Sequence, residues 1–391
     1  MTAHATRPEQ ARRTSRASRT DRVAVAAVTR ARGRRALVIG AMIVLLLAVV
    51  LTSSALGQFS LSPAEIFASF GRRLGLAPTA PADAYADGAL WNVRFPRIVL
   101  GLIVGAALGV AGALMQGVFA NPLAEPAVVG VSAGAAVGAC AAIVFGLPTF
   151  GAATVPAAAF VSGVITTVLV YVLARARGRT RVLMLVLTGI AVNAIANAVI
   201  ALFVFLADTA SREQIMFWQL GSLNGATWSA VGVTLPLLIV GVLCACLMSR
   251  RLDALALGDR SARHLGVPVE RVRLVSILLV ALLTAVAVSF AGIIAFVGLI
   301  VPHLLRLLIG PGHGALLPAS ALGGALLISV ADVVARTAIP FADLPIGMFT
   351  ALVGGPVFFV LLQPERRPRP ERRPRPARRP RPSAPNCAAS V

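Results

Sequence analysis

One short segment has the residue pattern of a serine nucleophile. The sequence GVSAG at 130–134 matches Gly-x-Ser-x-Gly, which presents a hydrolase serine when it lies at a strand–turn–helix junction with a histidine and an acid nearby. Here the pattern lies in a Gly/Ala-rich apolar stretch, where chance matches are common. The four histidines, His4, His264, His303 and His313, lie outside the clear apolar spans. An intramembrane hydrolase is therefore disfavoured, although it stays one of three hypotheses.

The chain contains no lysine, because all 36 basic residues are arginine. A Walker A loop uses a lysine to reach the phosphates of a nucleotide. A Schiff base likewise needs a lysine amine. The chain therefore has neither site, it is not expected to be an enzyme, and any ATP-driven work requires a separate chain.

Acids and metal ligands are also scarce in the apolar stretches. Carriers driven by protons or sodium usually have acids inside the membrane, and here Asp332 alone qualifies. An ion-coupled secondary carrier is therefore the second hypothesis, and it is disfavoured. The four cysteines have neither zinc-site spacing nor the context of a disulfide framework. We expect no metal site and no cofactor.

Long apolar blocks make up most of the chain, so they must position any functional side chains. Hydrophobic residues make up 58% of the sequence, and the mean hydropathy is +0.85. Crossing a bilayer takes roughly 20 apolar residues as a helix, and these blocks lack the alternation of barrel strands. The fold class predicted is all-α, a multi-pass membrane protein of about ten helices. The blocks are 36–57, 95–117, 125–146, 151–174, 182–207, 229–249, 272–292, 293–309, 315–338 and 345–363, with a break placed at Gly292.

Arginine placement predicts the orientation of these helices. If the N-terminus is cytoplasmic, 30 arginines fall on the cytoplasmic side and six outside, which agrees with the positive-inside rule. Both termini are then cytoplasmic. The net charge of +21 could suggest nucleic acid, but the basic tails flank membrane helices, so we expect contact with anionic lipid and no nucleic-acid partner.

Three domains follow from composition. Residues 1–35 are Arg-rich and are predicted to be disordered, residues 36–363 form the membrane domain, and residues 364–391 form a second Arg-rich tail. That tail repeats ERRPRP, ERRPRP and ARRPRP, and its prolines favour extended polyproline II structure. Within the membrane domain, glycines every four residues at 101–109 and 130–138 predict close helix packing.

The longest cytoplasmic loop between spans, 250–273, is predicted to be folded. Two short helices, Leu252–Leu257 and Asp259–Leu265, are separated by Gly258 and followed by Gly266, with Asp259 as the expected helix cap. A folded polar loop suits docking of a soluble partner. The alternative is a loop that is merely solvated.

Several segments in order resemble the FecCD family, the permease subunits of ATP-binding-cassette (ABC) importers for ferric siderophores, haem and cobalamin. They begin with RFPRIVLGLIVGAALGVAGALMQGVFANPLAEPAVVGVSAGA at 94–135. Further segments are FWQLGSLNGATW (217–228), LALGDRSARHLGV (255–267), AGIIAFVGLIVPHLLRLLIGPGH (291–313), LLPASALGGALLISVADVVAR (316–336) and LPIGMFTALVGGPVFFVLL (344–362). The resemblance covers about 36–363.

The resemblance implies the type II ABC importer permease fold, in the inner (cytoplasmic) membrane of the cell. It implies a second permease subunit, identical or not, cytoplasmic ABC ATPase subunits, and an extracytoplasmic substrate-binding protein. The implied mechanism is alternating access. We favour an iron chelate, ferric siderophore or haem, as substrate, with cobalamin as the alternative.

The resemblance also assigns roles to individual residues. Arg94, Arg97 and Arg336 would receive carboxylates of the binding protein; the alternative is arginines that extend to the membrane interface. Asn121, Pro122 and Leu123 would form a cytoplasmic gate, or simply a turn that ends a helix, and the loop 175–182 would form the other constriction. Residues 188–221 would line the path. The ATPase-coupling residues would be Leu257, Gly258, Asp259, Ala262, Leu265 and Gly266.

Overall fold

A computed structural model describes residues 7–57, 61–76, 84–147, 149–176, 179–339 and 342–362. The predicted tail repeats and Cys387 lie outside these residues. The described helices, in chain order, are α1 (Arg7–Ala55), α2 (Pro63–Arg73), α3 (Ala84–Ala89), α4 (Phe95–Phe119), α5 (Val131–Val144), α6 (Thr154–Leu173), α7 (Val182–Leu206), α8 (Thr209–Leu220), α9 (Trp228–Leu247), α10 (Ser249–Leu255), α11 (Asp259–His264), α12 (Val269–Ala291), α13 (Val297–Ile309), α14 (His313–Thr337) and α15 (Ile346–Leu362). The strands β1 (Arg175–Ala176) and β2 (Arg179–Thr180) form one antiparallel hairpin.

Each of the ten predicted apolar blocks overlaps one helix, and these helices are α1, α4, α5, α6, α7, α9, α12, α13, α14 and α15. In the described part of the chain, seven helical segments are long and apolar enough to cross a membrane, and α5, α13 and α15 are shorter apolar helices. The all-α, multi-pass fold class is thus confirmed. The predicted break is also confirmed, since α12 ends at Ala291 and Gly292 has a φ of +69°.

Three local expectations are corrected. Helix α1 begins at Arg7, so residues 7–35 are helical rather than disordered; Ala and Arg, both strong helix formers, make up more than half of them. Asp259 does not cap α11, because Gly258 occupies the cap position and Asp259 is the first helical residue. The third block starts with a 3₁₀ turn, Pro126–Val129, before α5.

Helix α4 lies at the centre of the bundle, where 89% of its apolar stretch is buried, against 17% for α7. It packs against α14 through small residues. A Cβ atom on Gly105 would collide with the Gly324 carbonyl oxygen, and one on Gly109 with the Ser320 carbonyl oxygen. The close packing predicted from the glycine spacing is therefore confirmed for α4.

The antiparallel packing of α4 and α14 defines two ends of the bundle. Arg97 in the first turn of α4 contacts Asp332 near the end of α14, and Gly117 near the end of α4 lies against His313 at the start of α14. We call these the Arg97 end and the His313 end. Helices α10 and α11 lie at the His313 end, since the Asp253 carboxylate accepts a hydrogen bond from the His313 main-chain N–H at 2.8 Å.

Candidate functional site

The loop between α9 and α12 is folded as two short helices at the His313 end. Gly258, with a φ of +96°, separates α10 from α11, and Gly266, with a φ of +76°, follows them. Ala262 is fully buried. By contrast, Leu257 and Leu265 are 66% and 64% exposed. Both leucines are therefore left uncovered by their own chain.

The Arg273 guanidinium joins this loop to the hairpin β1–β2. Its Nη2 lies 3.1 Å from Oδ1 and 3.3 Å from Oδ2 of Asp259 in α11. Its Nη1 donates to the Thr180 carbonyl oxygen of β2 at 2.8 Å. Glu270, one turn earlier in α12, accepts a hydrogen bond from the Thr180 main-chain N–H at 3.0 Å. We call these four residues the Arg273 bridge.

A second contact fixes α10 to the bundle. Asp253 Oδ1 accepts from the His313 main-chain N–H and also lies 2.7 Å from His313 Nδ1. His313 is buried and is the first residue of α14. The two halves of the loop are therefore tied to different elements, α10 to α14 and α11 to the hairpin.

The segment after α4 forms an exposed turn. Ala120 ends α4 with a φ of +47°, and the Leu123 main-chain N–H donates to Asn121 Oδ1 at 3.0 Å. Asn121, Pro122 and Leu123 are all exposed. An asparagine that bonds to the main chain two residues later is typical of a tight turn. This turn lies at the His313 end, and its role as a gate stays a prediction.

Glu125 is an acid that the sequence analysis missed. Its Oε1 accepts a hydrogen bond at 3.0 Å from the main-chain N–H of Phe296, a non-glycine residue with a φ of +68°. It lines a cavity of about 90 Å³ together with Ser132 and Thr284. Glu125 thus stabilises the irregular turn between α12 and α13. The contact spans 171 positions of sequence, so no local pattern indicated it.

The setting of Ser132 does not suit a serine nucleophile. Ser132 is the second residue of α5, and the segment before it is the 3₁₀ turn, not a strand. The strand–turn–helix setting that the motif requires is therefore missing around 130–134. The geometry gives the hydrolase hypothesis no support.

The three arginines predicted to dock a binding protein come together at the Arg97 end, and all contact their own chain. Arg97 Nε lies 2.8 Å from Asp332 Oδ1, and Arg97 Nη1 lies 2.9 Å from Asp343 Oδ2. Arg336 Nε lies 3.1 Å from Asp332 Oδ2. Arg94 Nη1 donates to the Ser54 carbonyl oxygen at 2.7 Å.

These contacts give the arginines a structural role, which the docking prediction did not include. Arg94 and Arg97 are buried, and the Arg97–Asp332 pair is almost completely enclosed. Buried charges are retained in proteins when they are paired. Asp343 is the most accessible member, since 34% of its side chain is exposed. An incoming carboxylate would compete with Asp343 first, and docking at these arginines stays a prediction.

A cleft of about 320 Å³ opens beside this network. Asp343 lines it, and so do aromatic and polar side chains from α8 and the segment after it: Gln214, Phe217, Trp218, Ser222 and Asn224. Asp208 caps α8 by accepting from the Ser211 main-chain N–H at 2.7 Å, which lowers the pKa of the Asp208 carboxyl. Part of the predicted path, 188–221, thus borders an open cleft.

Within the described residues, no group of three His, Cys, Asp or Glu side chains is placed to hold a metal ion. The candidate site is instead a pair of regions at opposite ends of one bundle. One end carries a folded loop with exposed leucines, and the other carries buried ion pairs beside a cleft.

Comparison with known proteins gives the family. Residues 45–363 match the FecCD transport family, and the chain belongs to that family. The resemblance inferred from the sequence segments is therefore confirmed, and the chain is a permease of the ABC importer class.

The relatives include permeases named for different substrates. The chain is 37% identical over 340 residues to the hemin transport system permease protein HmuU of Yersinia pestis, covering 85% of this chain and 97% of that protein. It is 44% identical over 274 residues to the cobalamin import system permease protein BtuC of Halobacterium salinarum, covering 70% and 72%. It is 38% identical over 327 residues to the vitamin B12 import system permease protein BtuC of Vibrio vulnificus, covering 82% and 93%.

Solved structures agree on the fold. A metal-chelate type ABC transporter in an inward-facing conformation superposes with a TM-score of 0.73 at 32% identity, covering 83% of this chain and 97% of that chain. A chain of PsaBC from Streptococcus pneumoniae has a TM-score of 0.51 at 16% identity, covering 71% and 93%; this likeness concerns the fold alone.

Proposed function

We propose that this permease moves an iron chelate, haem or ferric siderophore, from an extracytoplasmic binding protein into the cytoplasm by alternating access. The observation that carries the transport mechanism is the folded α10–α11 loop with its two exposed leucines. The similarity to a hemin permease over 97% of that protein supports the iron chelate. Cobalamin is the second candidate, because relatives named for cobalamin are similar to the same extent.

Cytoplasmic ATPase subunits are the partners that we assign to the α10–α11 loop. The chain has no lysine and hence no Walker A loop of its own. Leu257 and Leu265 supply an apolar contact surface, and Gly258, Asp259, Ala262 and Gly266 hold them in position. The His313 end is then cytoplasmic, which agrees with the arginine distribution and with a location in the cell (inner) membrane.

A second permease subunit is the partner that we assign to α7. Only 17% of the apolar stretch of α7 is buried within the chain, and Ile190, Ile195, Leu202 and Phe205 are exposed along it. A path between two subunits would run along this face and past α8. Asn121–Leu123 and the hairpin β1–β2 would then form its cytoplasmic constrictions.

Binding-protein docking predicts an unusual effect of Asp343→Asn. The substitution removes the most accessible carboxylate that contacts Arg97, so an acidic partner should bind more tightly. The gain should be about fivefold if the partly exposed Arg97–Asp343 pair is worth ~1 kcal/mol. The measurement is the affinity of the binding protein for the permease in nanodiscs. The control is Glu213→Gln, which removes the charge of an exposed acid in α8. An unchanged or weaker affinity for Asp343→Asn would show that Arg97 serves the fold and not docking.

Uptake in a deletion strain tests the substrate. Cells lacking the gene, and cells carrying it again, are supplied in parallel with labelled haem, a labelled ferric siderophore and labelled cobalamin. We expect restored uptake of haem or of the siderophore. Restored uptake of cobalamin alone would replace the iron-chelate proposal with the second candidate.

A further inference from the structure

We propose that Arg273 is a positioning residue that transmits movement of the α10–α11 loop to the hairpin β1–β2. Through this side chain, displacement of the loop by an ATPase would move one cytoplasmic constriction. The proposal rests on the proposed function, and it adds to that function a defined mechanical connection between the two elements.

The contact on the loop side is a charged, two-pronged hydrogen bond. Arg273 Nη2 lies 3.1 Å and 3.3 Å from the two carboxylate oxygens of Asp259. Such pairs fix orientation as well as distance. Asp259 is the first residue of α11, directly after Gly258. Any rotation of α11 about Gly258 therefore displaces the carboxylate that Arg273 holds.

On the hairpin side, the main-chain carbonyl and N–H groups of Thr180 are both hydrogen-bonded to side chains of α12. The Thr180 carbonyl oxygen accepts from Arg273 Nη1 at 2.8 Å, and the Thr180 N–H donates to Glu270 Oε2 at 3.0 Å. Thr180 is the strand residue opposite Arg175 in the hairpin. The last residue of the hairpin is thus hydrogen-bonded to two side chains at the start of α12.

A single guanidinium spans these two elements, and its burial makes the connection stiff. Only 3% of the Arg273 side chain is exposed, although 45% of the Asp259 side chain is. An arginine presents its donors in a planar fork, whereas a lysine presents one compact charge on a flexible stem. Arg273 can therefore hold Asp259 and Thr180 together, and lysine is a poor substitute.

The remaining half of the loop has a different attachment. Asp253 in α10 is bonded to His313 at the start of α14, and α14 packs against the central helix α4. Helix α10 is thereby anchored to the core of the bundle, while α11 is connected to the hairpin. This division leaves α11 as the part of the loop whose movement reaches the constriction.

The test uses the complete complex of permease, ATPase subunits and binding protein in proteoliposomes. Arg273→Gln, Arg273→Lys and Asp259→Asn are compared with the wild type for ATPase subunit retention, ATP hydrolysis and substrate uptake. The control is Arg271→Gln, which removes an exposed charge two residues away in the same turn of α12.

We expect Arg273→Gln and Arg273→Lys to retain the ATPase subunit and to hydrolyse ATP within about twofold of the wild-type rate; for Asp259→Asn, which changes the docking loop itself, the measure is uptake per ATP. Uptake per ATP should fall about tenfold in all three variants, because each change removes or weakens the charged hydrogen bonds that connect the loop to the hairpin. Arg271→Gln should match the wild type in all three measurements.

Two results would overturn the proposal. In the first, ATPase binding, ATP hydrolysis and uptake all fall together, so that uptake per ATP is unchanged. This result would mean that Arg273 only supports the fold. The other is full uptake per ATP in Arg273→Lys. Absence of ATP-driven uptake by the wild-type complex would instead contradict the proposed function, so the two failures are distinguishable. Asp259→Asn changes only the exposed side of the bridge and keeps the test informative if Arg273→Gln does not fold.

Discussion

Replacing Gly258 by valine should strongly reduce ATP-driven uptake while the membrane domain stays folded. Gly258 has a φ of +96° and a ψ of 152°, a backbone region that is essentially restricted to glycine. No atom lies within 4 Å of a Cβ built at this position. The effect therefore arises from backbone strain of roughly 1–3 kcal/mol, which the loop relieves by turning α11 away from its present orientation.

Turning α11 would move Leu265 away from a docked ATPase and Asp259 away from Arg273. Uptake into proteoliposomes should drop by about 5- to 150-fold, as a strain of roughly 1–3 kcal/mol implies. The matched control is Gly314→Val in the first turn of α14, where φ is ordinary and a Cβ also meets open space. Uptake at the wild-type level in both variants would show that the loop conformation is not needed for coupling.

Replacing Asp332 by asparagine should destabilise the fold more than any other single loss of charge at the Arg97 end. The Asp332 carboxylate contacts both Arg97 and Arg336, and only 4% of its side chain is exposed. Removing one partner of a buried ion pair typically costs about 3–5 kcal/mol, because the other charge stays buried. The midpoint of thermal unfolding in detergent should fall by roughly 5–10 °C.

Asp87→Asn is the control for this prediction. Asp87 pairs with Arg72 at 2.7 Å, but 24% and 20% of the two side chains are exposed. A pair that remains in contact with solvent is worth about 0–1 kcal/mol, so the unfolding midpoint should change little. An equal fall in the unfolding midpoint of the two variants would contradict the claim that burial makes the Asp332 ion pairs more important for stability. Loss of binding-protein affinity by Asp332→Asn without any change in stability would favour docking as the role of the network.

The helices could be predicted from the sequence because their signal is local. Apolar blocks and the single residue Gly292 located the ten apolar helices of the described chain, although α1 begins at Arg7, well before its predicted block. Gly258 and Gly266 likewise marked the ends of the short helices in the loop. The helical state of 7–35 was missed, because charge was given more weight than the helix propensity of Ala and Arg.

The contacts of the candidate site could not be predicted in the same way. Arg273 meets Thr180 across 93 positions of sequence, and Arg97 meets Asp332 across 235. No local pattern indicates such pairs, since they depend on which helices are neighbours. Arg94, Arg97 and Arg336 were visible as exceptions to the predicted positive-inside orientation, but the contacts of Arg97 with Asp332 and Asp343 appeared only in the folded chain.

Reconstituted uptake of labelled haem tests the central claim most directly. The permease is placed in liposomes with its ATPase subunits, supplied with the loaded binding protein, and compared with liposomes that contain the permease alone under a proton or sodium gradient. We expect uptake only when the ATPase subunits and ATP are present. Uptake by the permease alone, driven by the ion gradient, would contradict it and identify the chain as a secondary carrier.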